Sequence, residues 1–185
     1  MRIAYIIPSL YRMAPNRVVQ QLVEGMMARG HECHVFYFDP VTTDAMAFPC
    51  RATRISLLRA TDLTGYDVVH THGLRPNLYV WIHGVPRGVR AVATIHSYVF
   101  EEFRFIYGRV LGWIFGHLFV RTLSRHDRVV TLSRDAVDHY AHWIRPSRLT
   151  YCYNSVEEPT VDVPPDADDC RRIREHKGDG VLVAN

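Results

Sequence analysis

Lysine is almost missing from this chain: of its 22 basic residues only Lys177 is a lysine, and the rest are arginines. A diffuse nucleic-acid surface ordinarily mixes the two cations, so nucleic acid is not an expected partner. Cysteine is scarce as well. Cys33, Cys50, Cys152 and Cys170 stand far apart with no Cys-x-x-Cys spacing, and there is no Asn-x-Ser/Thr sequon. That argues against a disulfide scaffold and for reduced thiols in a cytoplasmic protein. Long apolar runs are lacking too. The run Ile3 to Ile7 is cut by Pro8 and does not read as a signal peptide, and the uncharged stretch Val110–Val120 is too short to span a bilayer. No GxGxxG follows the first apolar run, and neither GxxxxGK[ST] nor GxSxG occurs anywhere, which removes the main support for dinucleotide, P-loop and hydrolase readings.

What is present suits one packed domain. The 185 residues are 48% hydrophobic and 22% charged, too much apolar side chain for disorder and too little length for two full domains. Charge is unevenly placed. Residues 1–154 hold 18 basic and 11 acidic side chains, and residues 155–185 hold 4 and 8. A basic body with an acidic tail suits an anionic partner such as phosphate groups or a lipid surface.

The hydrophobic pattern alternates between strand and helix. Arg2 to Ile7 reads as a strand buried on both faces. Val18, Val19, Leu22, Val23, Met26 and Met27 then follow a helical period, with Pro15 in the first turn and Gly30 past the end. Cys33 to Phe38 is a second strand, Arg54 to Leu58 a weak one, and Asp67 to Gly73 a strong one. A helix is predicted from Pro76 to about Ile82, a strand over Val89–His96, and a long aromatic helix from about Phe100 to Ser124. Arg128 to Leu132 is a strand, Ser133 caps a helix reaching about Trp143, and Leu149 to Tyr153 is the last strand. This order predicts an α/β protein: a three-layer, Rossmann-like domain with a mostly parallel, doubly wound sheet over residues 1–154. Residues 155–180, with Pro159, Pro164, Pro165 and the aspartates at 162, 166, 168 and 169, read as an acidic linker with a short helix from about Ala167. Val181 to Ala184 resembles the opening strand of a further domain that this sequence does not contain.

In such sheets ligands bind beyond the carboxyl ends of the strands. The residues there are Ser9 to Arg17, His72 to Arg75, His96 to Tyr98, Ser133-Arg134 and Asn154-Ser155. Imidazoles and guanidiniums among them suit a phosphate-bearing, hydroxyl-rich ligand. His70 and His72 share a strand face, but no acidic or thiol side chain accompanies them at a ligand spacing. They are read as hydrogen-bonded strand-edge histidines, and neither a metal nor a cofactor is expected.

As an ordered series, Arg2–Ser9, Asn16 to Glu32, Asp67-Val68-Val69-His70-Thr71-His72-Gly73, Thr94-Ile95-His96-Ser97-Tyr98, Val129 to Ser133 and Asn154-Ser155-Val156-Glu157 resemble the amino-terminal half of GT-B-fold glycosyltransferases, in particular the retaining family 4. The resemblance implies one half of a two-domain fold, the half that mostly binds the acceptor, with the sugar nucleotide held by the other half. By position it makes His96 the catalytic histidine facing the donor sugar, with Asn16, Arg17, His72, Arg75, Ser97, Ser133 and Asn154 as substrate-binding residues. Where the family often has Gly-Gly after the first strand, this sequence has Ala14-Pro15-Asn16-Arg17, so either Asn16 and Arg17 supply the hydrogen-bond donors that glycine backbone would, or contact with the phosphates is weakened. The hinge segment reads Asn-Ser-Val-Glu in place of Asn-Gly-Val-Asp.

The resemblance therefore implies the acceptor-binding half of an enzyme that moves a sugar from a nucleotide-sugar donor to a glycan or lipid-linked acceptor, inactive without a donor domain in cis or in trans. Two other readings stay open: a non-catalytic recruiting subunit of a split glycosyltransferase, and an unrelated Rossmann-like binder of nucleotides or sugar phosphates. The aromatic segment from Tyr98 to Arg125, interrupted by Arg104, Arg109, Arg121 and Arg125, fits either a helix lying in the membrane interface or a core helix with arginines at its solvent edge. The expected location is the cytoplasm, with the inner membrane face as a candidate partner surface.

Overall fold

The computed structural model describes residues 1–40, 45–154 and 166–177. Its sheet is organised around the first apolar run. Strand β1 (Arg2–Ser9) buries Ile3, Ala4, Tyr5, Ile6 and Ile7 almost completely, which only a strand covered on both faces can do. Alternation divides these side chains. Ala4 and Ile6 join Phe36, Val69, Tyr79 and Val80 on one face, while Ile3, Tyr5 and Ile7 pack with Val19, Val23 and Val35 on the other.

Both edges of β1 are paired in parallel, to β2 (Glu32–Asp39) with Ile3 opposite Cys33, and to β4 (Val68–His72) with Ile3 opposite Val68. With β3 (Arg51–Arg54), β5 (Arg90–Thr94), β6 (Arg128–Thr131) and β7 (Leu149–Tyr151) the order is β3-β2-β1-β4-β5-β6-β7, every ladder parallel. The direction of winding reverses between β1 and β4, so the crevice for a ligand lies beyond the carboxyl ends of these two strands.

Helix α1 (Ala14–Ala28) buries Asn16, Val19 and Val23 and carries Pro15 in its first turn. It closes with the N–H of Gly30 on Met27 O and that of His31 on Met26 O, a Schellman motif. Helix α2 (Leu74–His83) buries Pro76, Asn77, Tyr79 and Val80. Helix α4 (Arg134–Tyr140) is capped by Ser133, whose Oγ accepts the Ala136 N–H at 3.0 Å.

Two elements differ from expectation. The weak strand is Arg51–Arg54 rather than Arg54 to Leu58, because Ile55 and Leu57 leave the sheet to pack against the core beneath it. The long aromatic helix, α3 (Val99–Thr122), is not straight. Gly108 sits at φ 78°, ψ 178°, outside helical space, and reverses the chain. Phe103 lies 6.2 Å from Phe119 by ring centroids, and Tyr107 lies 5.0 Å from Phe115, distances that a continuous helix cannot give. The two arms form a helical hairpin whose crossing is lined by Gly112 and Gly116. A Cβ on Gly112 would come within 2.5 Å of the Arg104 backbone, and one on Gly116 within 2.3 Å of the Phe100 ring. The inner side of α3 belongs to the core through Val99, Phe119 and neighbouring Leu123, as the core-helix reading expects, while much of its outer side is exposed.

Met1–Asn154 is one compact unit and Ser155–Asn185 a second. In the latter, helix α5 spans Ala167–Lys177, with Arg171 paired to Asp168. The stretches 155–165 and 181–185, read above as linker and as the opening strand of a further domain, lie outside the described residues.

Adding one methyl group at the arm crossing meets backbone, which cannot swing aside as a flexible side chain would. Gly112→Ala is expected to lower unfolding stability by about 1–3 kcal/mol, read from the urea midpoint. Val110→Ala on the exposed side should stay within about 0.5 kcal/mol of the parent. Equal midpoints for the two variants would refute the hairpin packing.

Candidate functional site

Three loops meet at the switch point. Ser9, the last residue of β1, is followed by a turn fastened by Asn16, whose Nδ2 donates to Ser9 O at 2.9 Å and to Tyr11 O at 2.8 Å. β4 ends on His72, and the next residue, Gly73, takes φ 96° to start α2, at a point where a Cβ would stand 3.4 Å from Pro8 Cγ. β5 ends at Thr94, so His96 stands two residues beyond it, just before α3.

These loops enclose a cavity of about 190 Å³ whose lining includes Pro8, Asn16, His72, His96, Ser97 and Glu102. Larger grooves occur on the described surface, but the one of about 610 Å³ lies beside Asp39, Arg54 and Arg75, away from the histidines. The smaller cavity is the one at the topological switch.

His72 and His96 form a pair, with His72 Nδ1 2.9 Å from His96 Nε2. The His70 ring lies beside that of His72, tilted 40° with 4.3 Å between centroids, and its Nε2 bonds Thr94 Oγ1 at 2.8 Å. Burial holds all three neutral. It depresses His96 to about 4, while His70 falls to about 3 through burial and the nearby His96 and His126. His72, only 1% exposed, lies well below the usual imidazole value through burial and its two histidine neighbours. With both rings neutral, a single N–H lies between His72 and His96. Nε2 of His96 is thereby engaged, and Nδ1 is left for another partner.

On the opposite face of β4, Thr71 Oγ1 reaches Asn77 Oδ1 at 2.6 Å and His126 Nε2 at 2.9 Å. Burial, with Arg148 nearby, depresses His126 to about 4. Two buried polar atoms of the cavity residues, Asn16 Oδ1 and His72 Nε2, have no hydrogen-bond partner among the described residues. Each such atom costs about 1–3 kcal/mol if left dry.

Of the residues singled out from sequence, Asn16, His72, His96 and Ser97 line this one cavity. Asn16 differs from the expected donor: both its amide hydrogens are used on Ser9 and Tyr11 carbonyls, so it offers an acceptor oxygen. Ser97 Oγ donates to Glu102. Arg17 is exposed on α1. Arg75 is elsewhere, paired with Asp39 at 2.6 Å and lying over the Phe38 ring. Ser133 is spent as a helix cap. Asn154 is exposed at the end of the first unit.

Sequence reasoning missed Glu102, which takes the Ser97 hydroxyl at the cavity wall, and Asn77 and His126, which meet at Thr71 on the other face of β4. It also missed Tyr140, whose hydroxyl takes the Val99 N–H at 2.9 Å and donates to Ser97 O at 2.7 Å, bracing the loop behind His96. Among the described residues no three His, Cys, Asp or Glu side chains are grouped to hold a metal ion.

The pattern described as Glycosyltransferase Family 4 matches residues 15–158. The chain belongs to glycosyltransferase family 4. Two curated relatives, both O-antigen biosynthesis glycosyltransferases WclY of Escherichia coli, are 32% identical over 168 residues, which is 85% of this chain and 46% of theirs. The chain thus spans about half the length of the family 4 relatives it matches.

Among solved structures, sucrose-phosphate synthase from Thermosynechococcus elongatus aligns with a TM-score of 0.66 at 14% identity, over 84% of this chain and 49% of that one. An alpha-glucosyltransferase in complex with UDP-glucose and DNA containing an abasic site aligns at 0.56 and 16%, over 83% and 42%. These similarities show the fold, one Rossmann-like half of the GT-B arrangement.

The depressed imidazoles carry a stability consequence. Each is uncharged in the folded state at pH values where the unfolded chain, at about 6.5, already binds a proton. Stability is therefore full above pH 6.5 and falls as pH drops toward the folded values. His96 and His126, each near 4, alone remove about 2 kcal/mol apiece between pH 7 and pH 5. Thermal melts across this range should show the decline, and His126→Gln should make it shallower by that residue's share while His70, His72 and His96 keep the rest. A melting temperature independent of pH from 7 to 5 would show that these rings are not held neutral.

Proposed function

We propose that this chain provides the acceptor side of a retaining glycosyltransferase that moves a sugar from a nucleotide-sugar donor to a glycan or lipid-linked acceptor. The setting is polysaccharide biosynthesis of the O-antigen kind named for its E. coli relatives, at the cytoplasmic face of a membrane. The observation that supports it most is the cavity at the β1/β4 switch point, where neutral His96 stands with two unpartnered buried polar atoms. Asn16 Oδ1 accepts and a neutral imidazole either accepts or donates, which is the complement of a sugar hydroxyl rather than of a phosphate.

In this reading His96, held by His72, turns its remaining nitrogen toward the sugar, and its lone pair or N–H steadies charge as the glycosidic bond breaks. Being neutral, it adds no cationic charge beside an oxocarbenium-like centre. Arg17, near the N-terminus of α1, approaches the donor's phosphates, and Asn154 lies at the hinge to a donor-binding domain supplied in cis or in trans. Transfer needs both halves, because the reaction depends on holding two substrates across a cleft. No metal and no organic cofactor enter the scheme, since the imidazole nitrogens of the site bond to one another and to Thr94 rather than converging on one point.

Isothermal titration of the 185-residue chain against UDP, GDP and their sugar derivatives tests the division of labour. An acceptor half gives no heat of binding at micromolar concentrations. Micromolar affinity for any of them would overturn this reading in favour of a free-standing nucleotide binder. In a preparation that includes the donor domain, His96→Ala is expected to lower kcat on the order of 100-fold with little change in acceptor KM.

A further inference from the structure

A second concavity opens on the same edge of the sheet as the histidine cavity. It is the groove of about 610 Å³ beside Asp39, Arg54 and Arg75, inside the range of about 300–1,000 Å³ that small-molecule sites occupy. β2 ends on Asp39 and β3 on Arg54, so the groove lies at the carboxyl ends of both strands. The start of α2 separates the two spaces. Gly73 and Leu74 line the histidine cavity, and Arg75 lines the groove. In the order β3-β2-β1-β4 the groove stands two to three strand spacings from His72, about 10–14 Å. No step of the transfer described above uses it.

Among the described residues three guanidiniums and one carboxylate line this groove, and they are not equivalent. Arg75 is neutralised: its Nη1 donates to Asp39 Oδ1 at 2.6 Å, and its guanidinium lies over the Phe38 ring. Arg54 is fixed but not neutralised. Its Nε donates to Phe38 O at 3.0 Å, which leaves both terminal nitrogens unengaged among the described residues. Arg59 makes no hydrogen bond or ion pair among the described residues. Two positive charges therefore share one concavity without a counter-ion, an arrangement that draws an anionic ligand.

The rest of the lining suits a sugar rather than a bare ion. Ile55 and Leu57 give an apolar wall, and Ser56 and Thr61 carry hydroxyls. Asp39 Oδ2 is unengaged among the described residues and can accept from a ligand hydroxyl.

The anion is better matched as a carboxylate than as a phosphate. Each uncompensated arginine presents a flat set of donors that a planar carboxylate meets with two bonds at once. Phosphate sites commonly draw on backbone N–H groups at a helix start. Here α2 has few to offer, since Pro76 has no N–H and that of Asn77 is spent on Gly73 O at 3.1 Å. The Asp39 carboxylate in the lining also repels a dianion more than a monoanion.

We propose that this groove holds a carboxylate-bearing sugar unit of the acceptor, with the carboxylate on Arg54 and Arg59, so that the chain selects an acidic glycan. This rests on the acceptor-side reading and names the acceptor's class. With the reacting hydroxyl beside His96, a neighbouring unit of the same glycan reaches the groove past the start of α2.

The test follows the arginine Nε–H resonances of the isotope-labelled 185-residue chain by NMR while methyl glucuronoside is added, beside methyl glucoside and inorganic phosphate. The glucuronoside is expected to shift Arg54 and Arg59 at millimolar concentrations. Methyl glucoside should leave both unmoved, and phosphate should act only at higher concentration. Arg54→Gln with Arg59→Gln should weaken glucuronoside binding at least about tenfold. Arg87→Gln, at an exposed arginine before the amino end of β5, should leave it unchanged. All three side chains are exposed, so the variants should melt like the parent. Three results would each overturn the proposal: no shift of either resonance by the glucuronoside, equal affinity in the double variant, or phosphate binding more tightly than the glucuronoside. No donor domain, nucleotide or transfer step takes part, so a failure here leaves the acceptor-side reading to its own nucleotide titration.

Discussion

Strand β1 is paired in parallel on both sides and covered on both faces, and most features of Met1–Asn154 follow from that double constraint. A strand so placed favours apolar side chains where it is covered, hence the unbroken Ile3 to Ile7. Parallel neighbours require crossovers, and the crossovers supply the helices that cover the faces. Because the chain winds outward from β1 in both directions, the loops after β1 and β4 are pulled apart at their carboxyl ends. The space between them is where Asn16, His72 and His96 meet. The hydrophobic burial of one five-residue run thus sets the location of the chemistry.

The polar residues at that edge are held by two networks on opposite faces of β4. On one face His70 bonds Thr94 and His72 bonds His96, and on the other Thr71 gathers Asn77 and His126. Neutral imidazoles are the residue type that can do this while buried, since each both donates and accepts without the desolvation cost of a full charge. The networks still leave unpartnered atoms, and the rest of the fold bears that cost. Tyr140 shows how the loop is kept in place at the same time: one hydroxyl both accepts from Val99 and donates to Ser97, tying α4 to the start of α3.

The α3 hairpin is built on a different balance. Gly112 and Gly116 give up side-chain packing so that two backbones can approach closely, and Gly108 gives up helical hydrogen bonding to reverse the chain. Those concessions place the inner residues Val99 and Phe119 in the core and leave the outer aromatic and aliphatic residues without cover. The same hairpin therefore has one wall in the site cavity and another facing outward.

Local pattern was enough to read the alternation of strand and helix, the Pro15 start and Gly30 stop of α1, the Ser133 cap, and the glycosyltransferase family 4 likeness carried by the ordered motifs. Each depends on periodicity or on a residue acting within its own turn, and such information is carried by neighbours in the chain. The partners at the site were not legible in this way. His72 and His96 are 24 residues apart, and Thr71 and His126 are 55 apart, so their bonds exist only because adjacent strands and their flanking loops bring them together. Nor could pattern show that Asn16 spends its amide hydrogens on the β1 loop, or that Arg75 turns to Asp39 and leaves the histidines. The glycines at 108, 112 and 116 were present in the sequence as a four-residue stripe, but a continuous helix satisfies the same hydrophobic spacing, and only the close approach of two backbones distinguishes a hairpin from a rod.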